Sequence, residues 1–580
     1  MSNWLTYSPS SGYGDGTITI TASTLSEIQD RVSAIIAKNN THSVSASTSI
    51  LQKAIPPTSI TFSELVWVED VPWNGGTATK DNCSYKVLGY YTDGSVADIT
   101  SVVSISGSLY VPETEDENRH SAGTLTLTAT YENLSCSGSV VAYQEKLPEY
   151  AKFLEFDILS GGTIYWCGST AATNYSIYYK KNSGNWNNLI ATPDGTGSTI
   201  TVNDGDVVKF KASFTAAPYD YCYFRSDIGV RLNMSGNIMS LLDNGSFRNL
   251  TTVPESAFVG LFCGTGNIWS FNGFFGVVDA SNIVMQATNL GKYCYRYMFA
   301  KCDTLIAAPT IGNSSTVMGY GSCNYMFSGC TSLTTAPSLP ATTLAEICYA
   351  EMFECCTGLT RTPILPATTL AKECYSSMFN ECGSLTASTE LPATTLAEGC
   401  YNNMFGVCHN LVIAPSVLPA TTLAKSCYAN MFYWCTGMTT APQISGVTLA
   451  ERCCENMFQD CWSLETGPSI LPATTLANYC YKYMFRTCKS LRRAPILPSN
   501  EDPGLEFGHF PYDGMFNGCV SLNYIKCLAK EQSELYNEIA TGDRWVVGVS
   551  SSGTFVRYQG ENWSRGDWGI PEGWTIVDAT

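Results

Sequence analysis

Apolar positions recur at a fixed period along the second half of the chain. Between Met298 and Met515, nine segments read Met-Phe, then Cys four residues after the Met, then Leu (Met438 in one segment) seven residues after it. A period in the twenties is typical of a stack of short coils, because one coil buries its apolar face only against its neighbours. We therefore predict a solenoid with a long, rigid surface, which favours binding over catalysis. The repeated residues are Met298, Met326, Met352, Met378, Met404, Met431, Met457, Met484 and Met515, at spacings of 28, 26, 26, 26, 27, 26, 27 and 31 residues.

The consensus of the repeat predicts its local structure. It reads Leu-Pro-Ala-Thr-Thr-Leu-Ala-x-x-Cys-Tyr-x-x-Met-Phe-x-x-Cys-x-x-Leu-x-x-Ala-Pro. Ala, Met, Leu and Cys around Met-Phe favour a short helix, and Pro ends it and turns the chain toward a brief strand. The Tyr that follows the first Cys in six coils predicts a column of stacked rings, with a platform for sugars as the alternative.

This repeat resembles the BspA-like class of leucine-rich repeats, whose Ala-Phe-x-x-Cys-x-x-Leu core is here Met-Phe-x-x-Cys-x-x-Leu. The resemblance implies a leucine-rich-repeat solenoid of nine coils over residues 291–527. It also implies an N-terminal cap over 236–290 and a β-rich C-terminal cap over 528–580. The C-terminal segment from Trp545 to Trp574 is similar to ends that follow this repeat in proteins of crAss-like phages and Bacteroidales.

Strand-like patterns precede the repeat. Residues 1–56 contain Trp4-Leu-x-x-Ser-Pro, Thr17-Ile-Thr-Ile-Thr and Ile50-Leu-Gln-Lys-Ala, which resemble the BACON domain, a small β-sandwich; residues 25–38 favour a helix instead. Residues 57–146 look like an immunoglobulin-like β-sandwich, and residues 147–235 form a third β-sandwich module. The predicted fold is thus mainly β and multidomain, with N-terminal β-sandwich modules followed by an α/β leucine-rich-repeat solenoid and a β C-terminal cap.

Composition and charge narrow the range of partners. The net charge is -18 and charged residues make up 14% of the chain, so nucleic acid and anionic membranes are poor partners. The sequence has no apolar run near the ~20 residues of a membrane span, and we expect no membrane insertion. Its first residues lack the basic and apolar regions of a secretory signal, so none is expected.

Seventeen of the twenty-five cysteines are arranged in columns of the repeat. Nine lie at Met+4 and seven at Met-4, with Cys323 as an eighth that is shifted by one residue. Because free Cys behaves as a small apolar residue, we predict buried, reduced thiols, with cross-coil disulfides as the alternative. Replacing Cys408 by Ser should then cost ~1–3 kcal/mol of folding stability by burying an unpaired hydroxyl.

The sequence gives little support for a metal site. Cys-x-x-Cys spacing is absent, and we expect no metal and no cofactor. The acidic stretch 113–118 is either a solvated loop or a calcium site.

Catalytic chemistry has little support in the sequence. The four His residues lie in different modules, and only Cys408-His409 places a thiol beside an imidazole. Cys408 belongs to the Met+4 column and should point inward. We predict no catalytic residue and no enzymatic activity.

Binding has better candidates at Met-2, Met-1, Met+2, Met+3 and Met+5, which vary between coils as solvent-facing positions do. Tyr433, Trp434 and Trp462 place aromatic rings on adjacent coils, which suits sugar stacking or a protein hot spot. The alternative is partial burial against a neighbouring module or subunit. One coil is rich in cations, namely Lys482, Arg486, Lys489, Arg492 and Arg493. We expect them either to form a solvated face or to bind an anionic glycan or an acidic protein surface.

The order of modules resembles virion appendage proteins of crAss-like phages. The resemblance implies a non-enzymatic structural and adhesive protein of a phage virion, as a head or tail fibre or decoration. Its N-terminal β-modules would contact other virion proteins, its solenoid would bind a host-surface glycan or protein, and a homo-oligomer is compatible with the sequence. Two alternatives are a secreted adhesin at the bacterial cell surface and a carbohydrate-active enzyme with accessory repeats.

Overall fold

The computed structural model describes residues 56–579 with gaps, and of residues 1–55 only the backbone of four strands. The described residues fall into two compact units, Met1–Pro148 and Glu149–Thr580. The acidic stretch 113–118 lies outside the described residues, so its two interpretations stay open. The gaps are 93, 113–118, 169–175, 193–197, 214–221, 265–274, 286, 474, 499–510, 531, 533–543 and 561–562.

The first unit consists of antiparallel strands. Its longest pair, β11 with β12, alternates buried Leu125, Leu127 and Ala129 with more exposed residues, the pattern of a sheet with one covered face. Strand β3, Arg31–Asn39, occupies much of the segment expected to be helical, so that expectation was wrong. The strands are β1 Leu5–Ser8, β2 Thr19–Ala22, β3 Arg31–Asn39, β4 Val44–Gln52, β5 Ser59–Trp67, β6 Gly76–Ala78, β7 Cys83–Tyr90, β8 Val96–Asp98, β9 Ser104–Ser106, β10 Leu109–Val111, β11 His120–Tyr131 and β12 Leu134–Gln144.

The second unit begins with a six-stranded sheet in the order β16-β15-β18-β13-β20-β22 and a three-stranded sheet in the order β17-β14-β19. Phe156, Phe210 and Phe224 meet in its core with ring centroids 4.5–5.2 Å apart. Strand β20 crosses the predicted boundary at residue 235 and pairs in parallel with β22 in the predicted cap. The other boundaries stay predictions. The strands are β13 Leu154–Ser160, β14 Gly162–Cys167, β15 Ser176–Lys181, β16 Asn187–Ile190, β17 Thr199–Val202, β18 Val207–Lys211, β19 Tyr223–Ser226, β20 Arg231–Asn237, β21 Thr252–Val253, β22 Val277–Val284 and β23 Asn289–Leu290.

The repeat forms a stack of coils held together by backbone hydrogen bonds. In each coil, the segment from Met-5 to Met+4 is a run of tight turns, which we call the turn segment. The N–H groups of Tyr349 and Phe353 donate to carbonyls of the next coil, those of Cys374 and Met378, at 3.0 and 2.9 Å. Between these two donors, the N–H of Met352 donates within its own coil, to Tyr349 O at 3.3 Å. Successive amides thus alternate between the neighbouring coil and their own turn.

The turn segment is not a helix. Every fourth described residue in it, at Met-5, Met-1 and Met+3, has a left-handed backbone, with φ between 49° and 79°. Such residues interrupt an α-helix, and Gly and Asn, which tolerate this backbone best, occupy several of these positions, among them Gly399, Asn403 and Asn430. The predicted helix is therefore wrong: the described part of the chain holds only short 3-10 helices, at Lys80–Asn82, Glu149–Ala151, Ile238–Leu241 and Phe247–Asn249. The mainly β fold class is confirmed, and its α/β solenoid component is not.

Identical apolar side chains fill the interior of the stack. The nine Met residues and the Phe residues that follow them are fully buried. The Phe rings form an unbroken column from Phe262 to Phe516, with neighbouring centroids 5.1–5.8 Å apart. These are distances at which offset aromatic rings attract.

The cysteines at Met+4 have a specific partner. Each of the nine thiols donates a hydrogen bond to the carbonyl of the Phe at Met+1, or of Phe262, in the preceding coil, at 3.0–3.1 Å. The same Phe carbonyl generally accepts the N–H of its own coil's Cys, as Phe379 O does from Cys382 at 3.2 Å. The Cys column is thus a hydrogen-bonding column as well as a packing column.

The tyrosines at Met-3 are buried and stack in neighbouring coils, for example Tyr349 on Tyr375 at 6.0 Å. This burial confirms the stacking column and rules out a sugar platform there. Two cysteines interrupt the column. Cys323 and Cys454 donate their N–H groups to the Met-4 carbonyl of the next coil, as the tyrosines do. Cys323 therefore belongs to the Tyr column, and Ser322 takes the Met-4 position.

The stack extends by one coil beyond the repeat at each end. Leu261-Phe262 and Trp545-Val546 take the places of Met-Phe, as the bonds Phe262 N–H to Met298 O and Phe516 N–H to Trp545 O establish. At the first end, Leu261 O accepts the N–H of Phe224 from the β-sheet, at 2.8 Å. At the last end, the N–H of Val546 donates to Asp567 O, at 3.4 Å. Each end of the stack is thus hydrogen-bonded to a segment that does not repeat.

Outside the turn segment, neighbouring coils are joined more often by single-residue parallel β-bridges than by paired strands. Single-residue bridges join Thr369 to Thr395, Thr448 to Thr475 and similar pairs. No helix among the described residues is long and apolar enough to cross a membrane. The remaining strands are β24 Val417–Leu418, β25 Gln443–Ile444, β26 Tyr524–Lys526, β27 Thr554–Arg557 and β28 Thr575–Asp578.

We expect the cysteines to react slowly in the folded protein. Burial raises the pKa of the Cys408 thiol to about 12 and that of Cys355 likewise to about 12, so thiolate is scarce at neutral pH. A thiol titration at pH 8 should modify the half-buried Cys136 and Cys355 first. The unfolded chain should titrate near 25 thiols. Oxidised column cysteines in freshly isolated protein would contradict the prediction of reduced thiols.

The partner of the Cys408 thiol changes the expected effect of a Ser substitution. Since Phe379 O lies 3.1 Å from the thiol, a serine hydroxyl would have an acceptor, contrary to the unpaired hydroxyl assumed from the sequence. We expect Cys408→Ser and Cys408→Ala each to lower the free energy of unfolding by about 1–2 kcal/mol, as judged by chemical denaturation. A Ser variant much less stable than the Ala variant would mean that this hydrogen bond does not form.

Candidate functional site

The outward positions of the turn segment hold most of the candidate residues. In each turn of four residues, two side chains enter the core and two face outward, as Cys374 and Tyr375 are buried while Ser376 and Ser377 are not. The core columns are nearly invariant along the stack, whereas the outward columns differ from coil to coil. The scaffold therefore presents variable side chains at fixed positions.

Trp434 lies at Met+3 on a left-handed backbone, with φ of 58°. Its side chain is 38% exposed. The indole meets the His409 ring of the preceding coil edge-on at 5.7 Å and the Tyr433 ring at 6.2 Å. All described Met+3 residues share this backbone conformation, so it is a property of the scaffold that fixes where the indole leaves the coil. Tyr433 and Trp434 thus form one aromatic group together with His409.

Trp462 lies at Met+5 on the next coil, and its side chain is 40% exposed. The Lys489 ammonium of the following coil lies 4.1 Å from the centroid of the indole. The indole N–H lies 3.4 Å from Asp460 Oδ1, which also accepts the hydroxyl of Thr487. Trp434 thus contacts His409 of the preceding coil and Tyr433 of its own, whereas Trp462 contacts Lys489 of the following coil. The structure gives no ring contact between the two indoles.

The five candidate cations divide into two groups. Lys482 and Arg486 belong to the turn segment; Lys482 forms an ion pair with Asp513 at 3.3 Å, and both side chains lie over the Tyr483 ring. Lys489, Arg492 and Arg493 follow the turn segment and are exposed.

None of these last three cations has an ion-pair partner among the described residues. Arg493 instead lies 3.9 Å above the Tyr524 ring, as Lys489 lies above Trp462. Glu465, which holds the position of Arg492 one coil earlier, is the nearest acidic residue in that column and is not paired with it. The cation-rich coil therefore carries three exposed charges that form no ion pair among the described residues.

Coils three and four carry the opposite charge. Glu351 accepts a hydrogen bond from the amide of Asn324 at 2.8 Å, and Glu354 lies beside it on the same turn segment. Burial, and then the charge of Glu354, raise the pKa of Glu351 to about 7. Burial also raises the pKa of Glu354. The environment of this acidic region therefore favours the neutral form of both carboxyls.

The single thiol–imidazole neighbour pair is not arranged for catalysis. The Cys408 thiol is fully buried and bonded to Phe379 O, while the His409 ring packs on Trp434 outside the core. Within the described residues, no group of three or more His, Cys, Asp or Glu side chains could hold a metal ion. The candidate surface offers aromatic faces and cations, which are groups for binding.

Two contacts of this surface were absent from the sequence prediction. His409 supports Trp434, and Lys489 covers Trp462. The second has a signal in the sequence, because Trp462 and Lys489 both lie at Met+5 of adjacent coils. The contact of His409 with Trp434 joins a Met+5 residue to a Met+3 residue of the next coil, and the repeat pattern alone does not predict that pairing.

Comparisons with known proteins add little to this picture. No family model and no curated protein matches the chain. Among solved structures, a leucine-rich repeat protein of T. pallidum is 14% identical, over 44% of this chain and 83% of that one, with a TM-score of 0.18. A leucine-rich repeat protein from Bacteroides ovatus is 15% identical, over 51% of this chain and 83% of that one, with a TM-score of 0.20. Both TM-scores are too low to assign a fold, and the coil stack is established by the hydrogen bonds between its coils.

The raised pKa of Glu351 predicts a pH dependence of stability. The folded carboxyl keeps its proton up to pH about 7, whereas the ordinary value is 4.5. The folded state then binds more protons between these values, so the free energy of unfolding falls as pH rises through this range. Glu351→Gln should raise that free energy at pH 8 by about 1–2 kcal/mol, allowing for solvent screening, and change it little at pH 4.

Denaturation midpoints at several pH values test this expectation. The exposed carboxylate of Glu465 supplies the matched control, since Glu465→Gln should leave the pH dependence unchanged. Equal effects of the two substitutions at every pH would show that Glu351 is not the titrating group.

Proposed function

We propose that the protein is a non-enzymatic binding protein in which the coil stack displays a ligand site around Tyr433, Trp434, Trp462 and the cations of the following coil. One observation carries the proposal: two large aromatic side chains are about 40% exposed on adjacent coils of a scaffold whose interior is almost invariant. Exposed aromatic residues grouped on a rigid surface are typical of recognition sites.

The geometry of the scaffold supports this proposal. The backbone bonds between coils fix the Trp434 and Trp462 backbones relative to each other, because Trp434 N–H donates to Gln459 O at 2.8 Å. Because this surface is already rigid, ligand binding would cost the protein little conformational entropy. Contacts from His409 and Lys489 hold each indole on one side and leave the remainder for a ligand.

The larger setting that we propose is a phage virion, with the chain as part of a head or tail fibre or decoration. The support is the resemblance of the repeat, the N-terminal β-modules and the C-terminal segment to proteins of crAss-like phages. In this setting the N-terminal β-modules contact other virion proteins, and the stack contacts a glycan or protein of the host surface. A bacterial surface adhesin shares the same binding site and differs only in where the protein is found, which mass spectrometry of purified particles would decide.

The double variant Trp434→Ala with Trp462→Ala tests the binding site. We expect it to lose adsorption to host cells or to immobilised host-surface extracts at least tenfold, since each buried aromatic contact contributes about 1–2 kcal/mol. Its thermal unfolding temperature should change by only a few degrees, because neither ring lies in the core.

Exposed apolar residues elsewhere on the stack supply the control. Ile364→Ala removes a side chain that is more exposed than either indole and lies on another coil, so binding should persist. Unchanged binding by the double Trp variant would refute the site. A large loss of stability with binding intact would mean that the rings serve packing alone.

A further inference from the structure

Lys489, Arg492 and Arg493 stand out in a chain of net charge -18. All three are exposed, and none forms an ion pair within the described residues. Elsewhere on the stack, exposed cations such as Lys372 and Lys425 are matched by glutamates at 3.1–4.0 Å. Unmatched charges of one sign are what a complementary anion would use.

Two of these cations rest on aromatic rings. Lys489 lies 4.1 Å from the Trp462 centroid and Arg493 3.9 Å from that of Tyr524, so both are attracted to ring faces and not to carboxylates. The ring contact partly replaces the missing anion and keeps each charge in place. An incoming carboxylate or sulfate can draw the Lys489 ammonium from the indole, which uncovers the ring face for stacking.

The three charges are close enough for one oligomeric ligand. Arg492 is the third residue after Lys489, so their Cα atoms are at most ~10 Å apart. The bridges of Arg493 to Thr466 and Tyr524 fix its backbone between the neighbouring coils. Among the acidic groups of the preceding coil, Glu451 and Glu455 pair with Lys425 and Arg452. Asp460 is bonded to Thr487 and Trp462, so Glu465 is the one left without a side-chain partner among the described residues.

We infer that the ligand of this surface is an anionic polysaccharide whose carboxylate or sulfate groups pair with Lys489, Arg492 and Arg493 while a sugar ring stacks on Trp462. This inference rests on the proposed binding function and assigns its chemical class. A saccharide fits better than an acidic protein surface because the patch alternates cations with ring faces and has exposed Thr466 beside it. Hydroxyl-rich rings carrying regularly spaced anions match that alternation.

Binding to three polysaccharides tests the inference: dextran, which is neutral, alginate, which carries carboxylates, and dextran sulfate. We expect the full chain to bind one or both of the anionic polymers and not dextran, with affinity falling steeply from about 0.05 M to about 0.5 M NaCl. The two anionic arms distinguish a carboxylate from a sulfate. The triple variant Lys489→Gln, Arg492→Gln, Arg493→Gln should bind at least about tenfold more weakly, since three charge pairs are removed together.

Arg361→Gln is the matched control, because Arg361 holds the Arg493 position, Met+9, in coil three and is also exposed. It should bind as the unmodified chain does. Tryptophan fluorescence gives a second measurement: the anionic polymer should change it, and Trp462→Phe should remove most of the change.

Equal binding of dextran and the anionic polymers, or undiminished binding by the triple variant, would overturn the inference. A host ligand that protease treatment destroys would overturn it as well, in favour of an acidic protein partner. Each of these results leaves the Trp434 and Trp462 site intact, whereas failure of the double Trp variant to lose binding removes the proposed function itself.

Discussion

Alternate backbone amides of every turn segment bind the following coil, and the rest of the stack depends on this. The bonds from Tyr349 and Phe353 to the next coil set the separation between coils. That separation places Phe rings at stacking distance and brings each Met+4 thiol to a carbonyl of the coil before it. It also stabilises the left-handed residues, whose intrinsic cost would otherwise disfavour such a chain of turns.

The repeat predicted which residues are buried but not how the backbone runs. Met, Phe, Cys and Leu at fixed spacing were enough to predict the core columns, since burial follows from periodicity alone. The predicted helix failed because helix propensity counts only local preferences, while half of the amides of this segment bind another coil. The assignment of Cys323 failed because hydrogen bonds, and not the identity of the side chain, define its position. The Met-Phe pattern did not predict the end coils because Leu261 and Trp545 replace Met in them.

The candidate site was predictable as a set of residue types and not as a set of contacts. Exposed rings and cations could be placed on outward columns by their spacing from Met. Spacing alone does not tell whether a side chain at Met+3 or Met+5 meets the coil before it or the coil after it. That choice decides why Lys489 contacts Trp462 and why Trp434 and Trp462 do not contact each other. The division of the five cations into paired and unpaired groups likewise required the position of Asp513.

The direction of the bonds between coils makes the two ends of the stack unlike and complementary. The first end would offer carbonyls without donors, and the last end would offer amides without acceptors. Two uncovered chains could therefore join head to tail and continue as an open filament, as heterologous contacts that do not close can do. Phe224 N–H on Leu261 O and Asp567 O on Val546 N–H each occupy one of these groups, so the segments that supply them oppose such growth at both ends.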